Sequence, residues 1–206
     1  MKFKTNIFTS LVFVVMIVFS STACTQEKVK EAQKAEGNNK HVALASQIAP
    51  FPVSVAYIEA VSAPTKGKAV DFNWTLNGKP VSFKEFTKDK VVFLNFWGTW
   101  CPPCRREIPD LVSIANDLKD KDFVMIGIPQ ERNIEGAKDA VSSYAETQKI
   151  PYINLIDTKY DLAKAYGGIN AVPTTIIIDK KGNIAETITG MRGKTEFMES
   201  IKRVLK

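Results

Sequence analysis

Two cysteines separated by two prolines are the residues of this sequence best suited to covalent chemistry. Cys101 and Cys104 stand in the stretch WGTWCPPCRRE, and the chain has only one further cysteine, Cys24. A thiolate can attack a disulfide, and a second thiol close by can resolve the mixed disulfide that results. The pattern therefore predicts a redox-active dithiol.

The elements around the pair determine which sulfur reacts first. The run VVFLNFW, residues 91–97, is continuously apolar, as in a strand buried on both faces, and a helical pattern runs from Pro102 to about Leu118. Cys101 then falls at or just before the first helical residue, where unpaired N–H groups and the positive end of the helix dipole lower a thiol pKa. We expect Cys101 to attack and Cys104, one turn inside the helix, to resolve.

A pair of cysteines with this spacing can also be half of a metal site. A structural zinc ion needs four ligands and a copper carrier needs a third soft or imidazole ligand, but the only histidine is His41, far before the motif. We therefore expect no metal and no other cofactor. A disulfide that never turns over remains the other alternative.

The rest of the folded part alternates strand and helix patterns. The runs DFNWTL and KPVSF flank Asn77-Gly78, a dipeptide that favours a hairpin turn, and a short helical piece follows at residues 83–86. Further along lie two buried strand patterns, FVMIGIP and YINLID, helical patterns at 134–148 and 161–166, a hairpin made of TTIIID and IAETITG, and a closing helix at 195–205. This order predicts an α/β domain around one mixed sheet.

Composition limits the class of protein. Of the 206 residues, 45% are hydrophobic and 24% are charged, which suits one globular domain. The formal net charge is +6, but Lys and Arg are spread along the chain without a basic block interleaved with aromatic residues. We therefore expect no nucleic-acid partner.

The N-terminal residues 1–23 have the pattern of a signal peptide. Lys2 and Lys4 precede an almost wholly apolar stretch at 7–19, and a run of small residues follows it at 20–23. The apolar stretch is shorter than the roughly 20 residues that a membrane-spanning helix needs. We expect export from the cytoplasm, with an uncleaved signal anchor as the alternative.

Cys24 directly follows these small residues, and there the segment resembles the lipobox of bacterial lipoproteins, whose first mature residue is a lipid-modified cysteine. Ser21 stands where the box usually has Leu, so simple secretion is the alternative to a lipid anchor on Cys24. Residues 24–65 are then a tether or linker, which begins highly charged and without aromatic residues. The residues from His41 onward have no clear interpretation, and the folded domain is expected at 66–206.

Over about residues 66–206 the sequence resembles the thioredoxin superfamily, and within it the membrane-tethered TlpA/ResA-like thiol-disulfide oxidoreductases. The resemblance rests on the strand VVFLNFW, the motif WCPPC, the EIP that follows it, and Val172-Pro173-Thr174 before the last hairpin. It implies a thioredoxin fold extended by an N-terminal β-hairpin and by an inserted helix and strand at about 134–157.

The resemblance also implies roles for single residues. Cys101 matches the family's exposed nucleophile and Cys104 its partly buried partner. Pro173 matches the superfamily's cis-proline, which faces the disulfide and helps to bind substrate backbone. Val172 lies where the family tunes substrate contact and redox behaviour.

Glu107 matches a glutamate that TlpA/ResA-like proteins keep near the active site. It comes three residues after Cys104, so the two side chains can share one helix face. A partly buried carboxyl there would have a raised pKa and could exchange a proton with Cys104. The alternative is that Glu107 complements the helix N-terminus or pairs with Arg105 or Arg106.

Two tryptophans flank the motif. We expect Trp97 to pack in the core beneath the active-site loop, and Trp100 to form a partly exposed wall of the substrate surface. Pro102 is expected to belong to the same substrate surface.

The function that the resemblance implies is the reduction of protein disulfides outside the cytoplasm by a lipoprotein held at the membrane. Many members of the family serve cytochrome c maturation and take electrons from a thiol-reducing membrane protein. The expected partners are disulfide-bonded client proteins, such a membrane electron donor and a lipid anchor, and we expect a monomer. A disulfide oxidase or isomerase, or a non-catalytic lipoprotein that uses the fold as a binding platform, are the alternatives.

Overall fold

The computed structural model describes residues 54–206. The predicted signal peptide, Cys24 and most of the predicted linker lie outside the described residues. Eight strands and five helices follow one another in the described part: β1 (Val55–Val61), β2 (Phe72–Leu76), β3 (Lys79–Ser82), α1 (Phe83–Phe86), β4 (Val91–Trp97), α2 (Pro102–Asp117), β5 (Phe123–Pro129), α3 (Ala137–Thr147), β6 (Ile153–Ile156), α4 (Asp161–Ala165), β7 (Thr174–Ile178), β8 (Ile184–Thr189) and α5 (Lys194–Val204). Within residues 54–206 no helix is both long enough and apolar enough to cross a membrane.

The strands form one mixed sheet in the order β3-β2-β1-β6-β5-β4-β7-β8. The pairs β1–β6, β6–β5 and β5–β4 are parallel. The pairs β4–β7, β7–β8, β1–β2 and β2–β3 are antiparallel. The predicted α/β architecture around a mixed sheet is confirmed.

Strand β4 positions the cysteines because it lies inside the sheet and carries them at its carboxyl end. All seven of its residues are buried, as its continuous apolar run predicts. Phe93 faces a core shared with α2 and α5, where its ring meets that of Phe197 at 5.0 Å between centroids. Leu94 belongs to the second core cluster, to which β2 contributes Trp74.

The β2–β3 hairpin turns where its sequence indicates. Asn77 and Gly78 have φ values of 51° and 74°, the left-handed conformations that a two-residue hairpin turn needs. Phe72 at the start of the hairpin stacks on Phe83 of α1 with ring centroids 4.7 Å apart. The hairpin thus forms one edge of the sheet, and α1 packs against it.

The ordered domain starts earlier than predicted. Strand β1, at residues 55–61, lies within the range 24–65 that was interpreted as linker, and it pairs with β6 and β2. None of its seven residues is fully buried, and a register shift interrupts it between Ile58 and Ala60. Its sequence therefore lacks the buried apolar pattern that would predict a strand. The strand is stabilised by pairing with β2 and β6. The boundary at residue 66 is wrong, and residues 54–65 belong to the domain.

Helix α3 also begins later than its predicted start at residue 134. It starts at Ala137 after Gly136, and residues 130–136 form a loop after β5. This loop lies at the same edge of the sheet as the cysteines, because β4 and β5 are parallel and Trp97 is opposite Pro129.

Candidate active site

Cys101 caps the N-terminus of α2. Its backbone is extended, with φ −94° and ψ 108°, and its sulfur accepts a hydrogen bond from the backbone N–H of Cys104 at 3.3 Å. Prolines occupy the first two helical positions, where an N–H group would have no partner within the helix. The sulfur thus lies at the positive end of a helix of 16 residues, a position that stabilises a thiolate.

The two cysteines form a disulfide, with Cα atoms 5.3 Å apart. Cys104 is fully buried, and Cys101 is only 2% exposed. The expectation of an exposed Cys101 is therefore wrong for this disulfide form. Its sulfur lies 3.5 Å from the carbonyl oxygen of Val172 and packs in the same core cluster as Trp97, so the loop before β7 and the core beneath leave little of it open.

The loop before β7 faces the disulfide as the resemblance implied. The peptide bond between Val172 and Pro173 is cis. Pro173 is buried and Val172 is half-buried. Pairing of β7 with β4 places Thr174 opposite Phe96, and this register brings the preceding loop beside the residues that follow β4.

Trp100 and Pro102 lie at the surface next to the disulfide. Trp100 is 38% exposed, and its Nε1 donates a hydrogen bond to the carbonyl oxygen of Gln130 at 2.8 Å. A Cβ on Gly98 would lie 2.7 Å from that same Nε1, so a side chain at residue 98 would displace the indole. Trp97, by contrast, is fully buried and donates to Asn154 Oδ1 at 3.1 Å.

Glu107 is a buried carboxyl on the same face of α2 as Cys104. Its side chain is 1% exposed, and its Oε1 accepts a hydrogen bond from Asn95 Nδ2 at 3.0 Å. The same amide nitrogen also lies 3.1 Å from Thr175 Oγ1. Glu107 Oε2 and Asn95 Oδ1 have no hydrogen-bond partner among the described residues.

Burial raises the pKa of Glu107 from its ordinary value of 4.5 to about 7, against the opposing effect of the hydrogen bond from Asn95. The backbone N–H of Arg192 also lowers this pKa, and the nearby charge of Asp110 raises it. None of the ion pairs found in residues 54–206 includes Glu107. The geometry therefore favours a proton-exchanging carboxyl over a surface partner of Arg105 or Arg106.

Tyr152 is a further buried polar group in this region that the sequence did not indicate. Its hydroxyl has no partner among the described residues, and its pKa is raised by burial and by the charge of Glu107. A tyrosine at the start of a strand is an ordinary core residue, so nothing in its sequence context signals proximity to the site.

Residues 130–132, which we call the bracket, were also missed. Gln130 donates its backbone N–H to the carbonyl oxygen of Trp97 at 2.7 Å. Glu131 is 6% exposed, and its carboxylate accepts from the N–H and the hydroxyl of Thr99 at 2.7 and 2.8 Å. The guanidinium carbon of Arg132 lies 3.8 Å from the centroid of the Trp100 ring. In the sequence, the bracket could have been recognised only as three polar residues that directly follow the buried strand β5, which is parallel to β4.

The model of the Redoxin family matches residues 63–202 of the chain. The chain belongs to the Redoxin family. The thiol-disulfide oxidoreductase ResA of Bacillus thuringiensis subsp. konkukian is 36% identical over 129 residues, which are 63% of this chain and 71% of that protein.

Solved structures of this kind share the fold. A thiol:disulfide interchange protein of the thioredoxin family from Chlorobium tepidum has a TM-score of 0.56 and 30% identity over 76% of this chain and 99% of its own. The pneumococcal exposed lipoprotein thioredoxin from Streptococcus pneumoniae has a TM-score of 0.54 and 26% identity over 65% of this chain and 98% of its own. The predicted thioredoxin fold and TlpA/ResA-like membership are confirmed, and this member of the Redoxin family is a thioredoxin-like thiol-disulfide oxidoreductase.

Proposed function

We propose that the chain reduces disulfides of client proteins outside the cytoplasm through the Cys101–Cys104 dithiol. The observation that carries this proposal is the position of Cys101 at the N-cap of α2, next to Val172. The helix end favours the thiolate that must attack. The adjoining Val172 carbonyl offers a hydrogen-bond acceptor to the backbone of an extended client segment.

The exchange runs in two displacements. The Cys101 thiolate attacks one sulfur of the client disulfide, so that a Cys101–client disulfide forms and the second client sulfur leaves as a thiolate and takes up a proton. Cys104 then loses its proton and attacks the Cys101 sulfur, which releases the first client sulfur. The client gains two electrons and two protons, and the chain is left with its Cys101–Cys104 disulfide.

In this mechanism Glu107 accepts the proton that Cys104 loses. Its carboxyl is buried on the same helix face as that sulfur, and a pKa of about 7 lets it exist in both protonation states near neutral pH. As a carboxylate it can take the proton when Cys104 attacks. Asn95 holds Oε1, leaving Oε2 for the proton.

Client contact is assigned to the surface around the sulfur. Trp100 and Pro102 are exposed on one side of the disulfide, and Val172 is half-buried beside it. Pro173 completes the loop that carries the Val172 carbonyl. Trp100, Pro102 and Val172 together offer an apolar surface beside the disulfide for the residues that flank a client cysteine.

The location and the partners belong to the same proposal. Cys24 is the lipid-modified anchor, residues 24–53 form the tether, and the domain works at the outer side of the cytoplasmic membrane as a monomer. Support comes from the signal-peptide pattern and from the exposed lipoprotein among the solved relatives. A thiol-reducing membrane protein then reduces the Cys101–Cys104 disulfide of the oxidised chain. Apocytochromes c are the proposed client class.

The reduction potential of the Cys101–Cys104 pair tests the direction of transfer. The full chain is equilibrated against dithiothreitol or glutathione buffers, and free thiols are counted by alkylation and mass spectrometry. A potential at or below about −220 mV supports a reductase, whereas about −120 mV is the range of strong oxidants and contradicts it. Cys24→Ala is the matched control, because only the 101–104 pair then contributes thiols.

Trapping separates an enzyme from a binding platform. In Cys104→Ala the mixed disulfide on Cys101 cannot be resolved, so a client should remain covalently attached and be released by reductant. Cys101→Ala is the control and should trap nothing. Clients bound equally by both variants without a covalent bond would contradict catalysis and favour the platform.

A further inference from the structure

A cation lies on the exposed ring beside the redox pair. The guanidinium carbon of Arg132 is 3.8 Å from the centroid of the Trp100 ring. An edge-on guanidinium would place N–H groups between that carbon and the ring and would need a longer distance, so the group lies flat. A flat guanidinium contacts the indole with its face and leaves the N–H donors of its edge free for a carboxylate.

The cation has no acidic partner in the described part of the chain. None of the ion pairs within residues 54–206 includes Arg132, and its side chain is exposed. The adjacent Glu131 is buried and gives both carboxylate oxygens to Thr99. Its carboxylate is therefore engaged by the loop, and no ion pair within residues 54–206 joins it to the guanidinium.

The bracket fixes this cation relative to the reactive sulfur. Trp100 directly precedes Cys101, and its Nε1 is held by the Gln130 carbonyl at 2.8 Å. Because the ring and the cation are held in advance, these side chains lose less conformational entropy when a client binds. The guanidinium is thus a preorganised group at the edge of the client surface.

Two further arginines follow the redox pair in α2. Arg105 and Arg106 are exposed in the first turns of α2 and belong to no ion pair of the described residues. The exposed acids that follow the bracket in sequence are Glu135 in the same loop and Asp139 in α3, and a third, Asp161, follows Tyr160, whose hydroxyl donates to the Glu131 carbonyl. Asp161 pairs with Lys164, whereas none of the three arginines has an acidic partner among the described residues.

We propose that Arg132 is a receptor for a client carboxylate, so that the chain prefers disulfides in which an Asp or Glu stands beside the attacked cysteine. The inference rests on the proposed function and names its substrate class. Aliphatic or aromatic residues beside the client cysteine contact Trp100 and Val172. The client carboxylate accepts hydrogen bonds from the edge of the guanidinium.

Single-turnover kinetics test this preference. The full chain is reduced, freed of reductant and mixed with peptides that carry one intramolecular disulfide and have Asp, Asn or Lys beside one cysteine. The second-order rate constant is read from acid-quenched alkylation. We expect the Asp peptide to react about fivefold faster than the Asn peptide, the ratio for an ion pair worth about 1 kcal/mol, and the Lys peptide to react slowest.

Variants separate recognition from the peptides' own reactivity. In Arg132→Ala the Asp-to-Asn ratio should fall to about one, and in Arg132→Lys it should be intermediate, since Lys keeps the charge but not the flat contact. Lys181→Ala is the matched control and should keep the parent ratio. Lys181 is exposed in the turn after β7, and Ile178 of β7 pairs with Val92 at the end of β4 remote from Cys101.

The outcomes distinguish the two proposals. A parent ratio of about one, or a parent ratio that persists in Arg132→Ala, overturns carboxylate recognition while the reductase stands. No reaction with any of the peptides, together with no trapped client in Cys104→Ala, overturns the proposed function and this inference with it.

Discussion

Among single residues, the Glu107 carboxyl is what distinguishes this site from a simple dithiol. It is 1% exposed, one of its oxygens is held by Asn95, and burial raises its pKa to about 7. Asn95 cannot titrate, although ordinary thioredoxins place an aspartate at that position of the motif. Of these two side chains, only the one on the helix can move a proton.

Replacing Glu107 with Gln should change how the free energy of unfolding depends on pH. Between about pH 4.5 and 7 the native carboxyl holds a proton that the unfolded chain has released. Proton uptake by the native state makes stability fall as pH rises through this window, by about 3 kcal/mol in total for this shift. Glu107→Gln should lack that fall.

Denaturant unfolding of the oxidised parent and of Glu107→Gln at several pH values measures the effect. The raised pKa of Asp157 acts in the same direction in both proteins, so only the difference between them is informative. If the free energy of unfolding of the two proteins depended on pH in the same way, ionising Glu107 would not destabilise the native state, contrary to the argument from burial.

The same substitution should alter the rate of the second displacement. If the Glu107 carboxylate takes the Cys104 proton, the parent's resolution rate should rise as pH increases through about 7, because the carboxylate becomes populated there. Glu107→Gln should lose this rise and resolve about 100-fold more slowly at pH 8. Quenched-flow detection of the Cys101–client disulfide follows the step, and an unchanged pH profile would exclude a relay through Glu107.

Among the secondary-structure elements, the start of α2 and the loop before β7 meet at the disulfide, and the bracket after β5 holds the residues that lead to Cys101. The sequence alone was sufficient for the first, because a buried strand pattern followed by a helical one places Cys101 at the helix start. The loop before β7 came from the resemblance, since a cis bond at Pro173 has no local signal. The bracket was missed because a short polar run after a strand is typical of any loop.

Close approach of β5 to its neighbours is what allows Trp97 to lie beneath the site. A Cβ on Gly127 would collide with Asn154 Oδ1 and would lie 2.9 Å from Trp97 Nε1, the two atoms that form a buried hydrogen bond. Gly127→Ala should therefore displace both side chains and lower the free energy of unfolding by about 2 to 4 kcal/mol through overpacking and the lost hydrogen bond.

Gly136→Ala is the matched control for this prediction. Its Cβ would have only an ordinary contact, 3.5 Å from Asn133 Nδ2, and its φ of −97° suits any residue. Chemical denaturation should place this variant within about 0.5 kcal/mol of the parent. Equal losses in the two variants would mean that the packing around Trp97 tolerates a methyl group.

For the molecule as a whole, the sequence was most informative where periodicity was strong and least informative where distant segments complete a structure. Strand β4 and the hairpin turn at Asn77-Gly78 lie where their local patterns predicted. Strand β1 was interpreted as linker because its order depends on β6, about a hundred residues later in the chain. The near-complete burial of Cys101 likewise depends in part on the Val172 loop, which is distant in sequence.

The proposed division into an anchor and a redox domain predicts that the two can be disabled separately. Cys24→Ala should remove the lipid, so that the mature protein moves from the membrane fraction to the soluble fraction, and mass spectrometry of its N-terminal peptide should show no acyl groups. Its reduction potential should equal that of the parent, because Cys101 and Cys104 pair with each other within the described residues. Cys101→Ala should do the reverse, remaining in the membrane while losing exchange with client disulfides.

A Cys24→Ala protein that stays in the membrane would favour an uncleaved signal anchor, whereas one whose reduction potential shifts would contradict the independence of tether and domain.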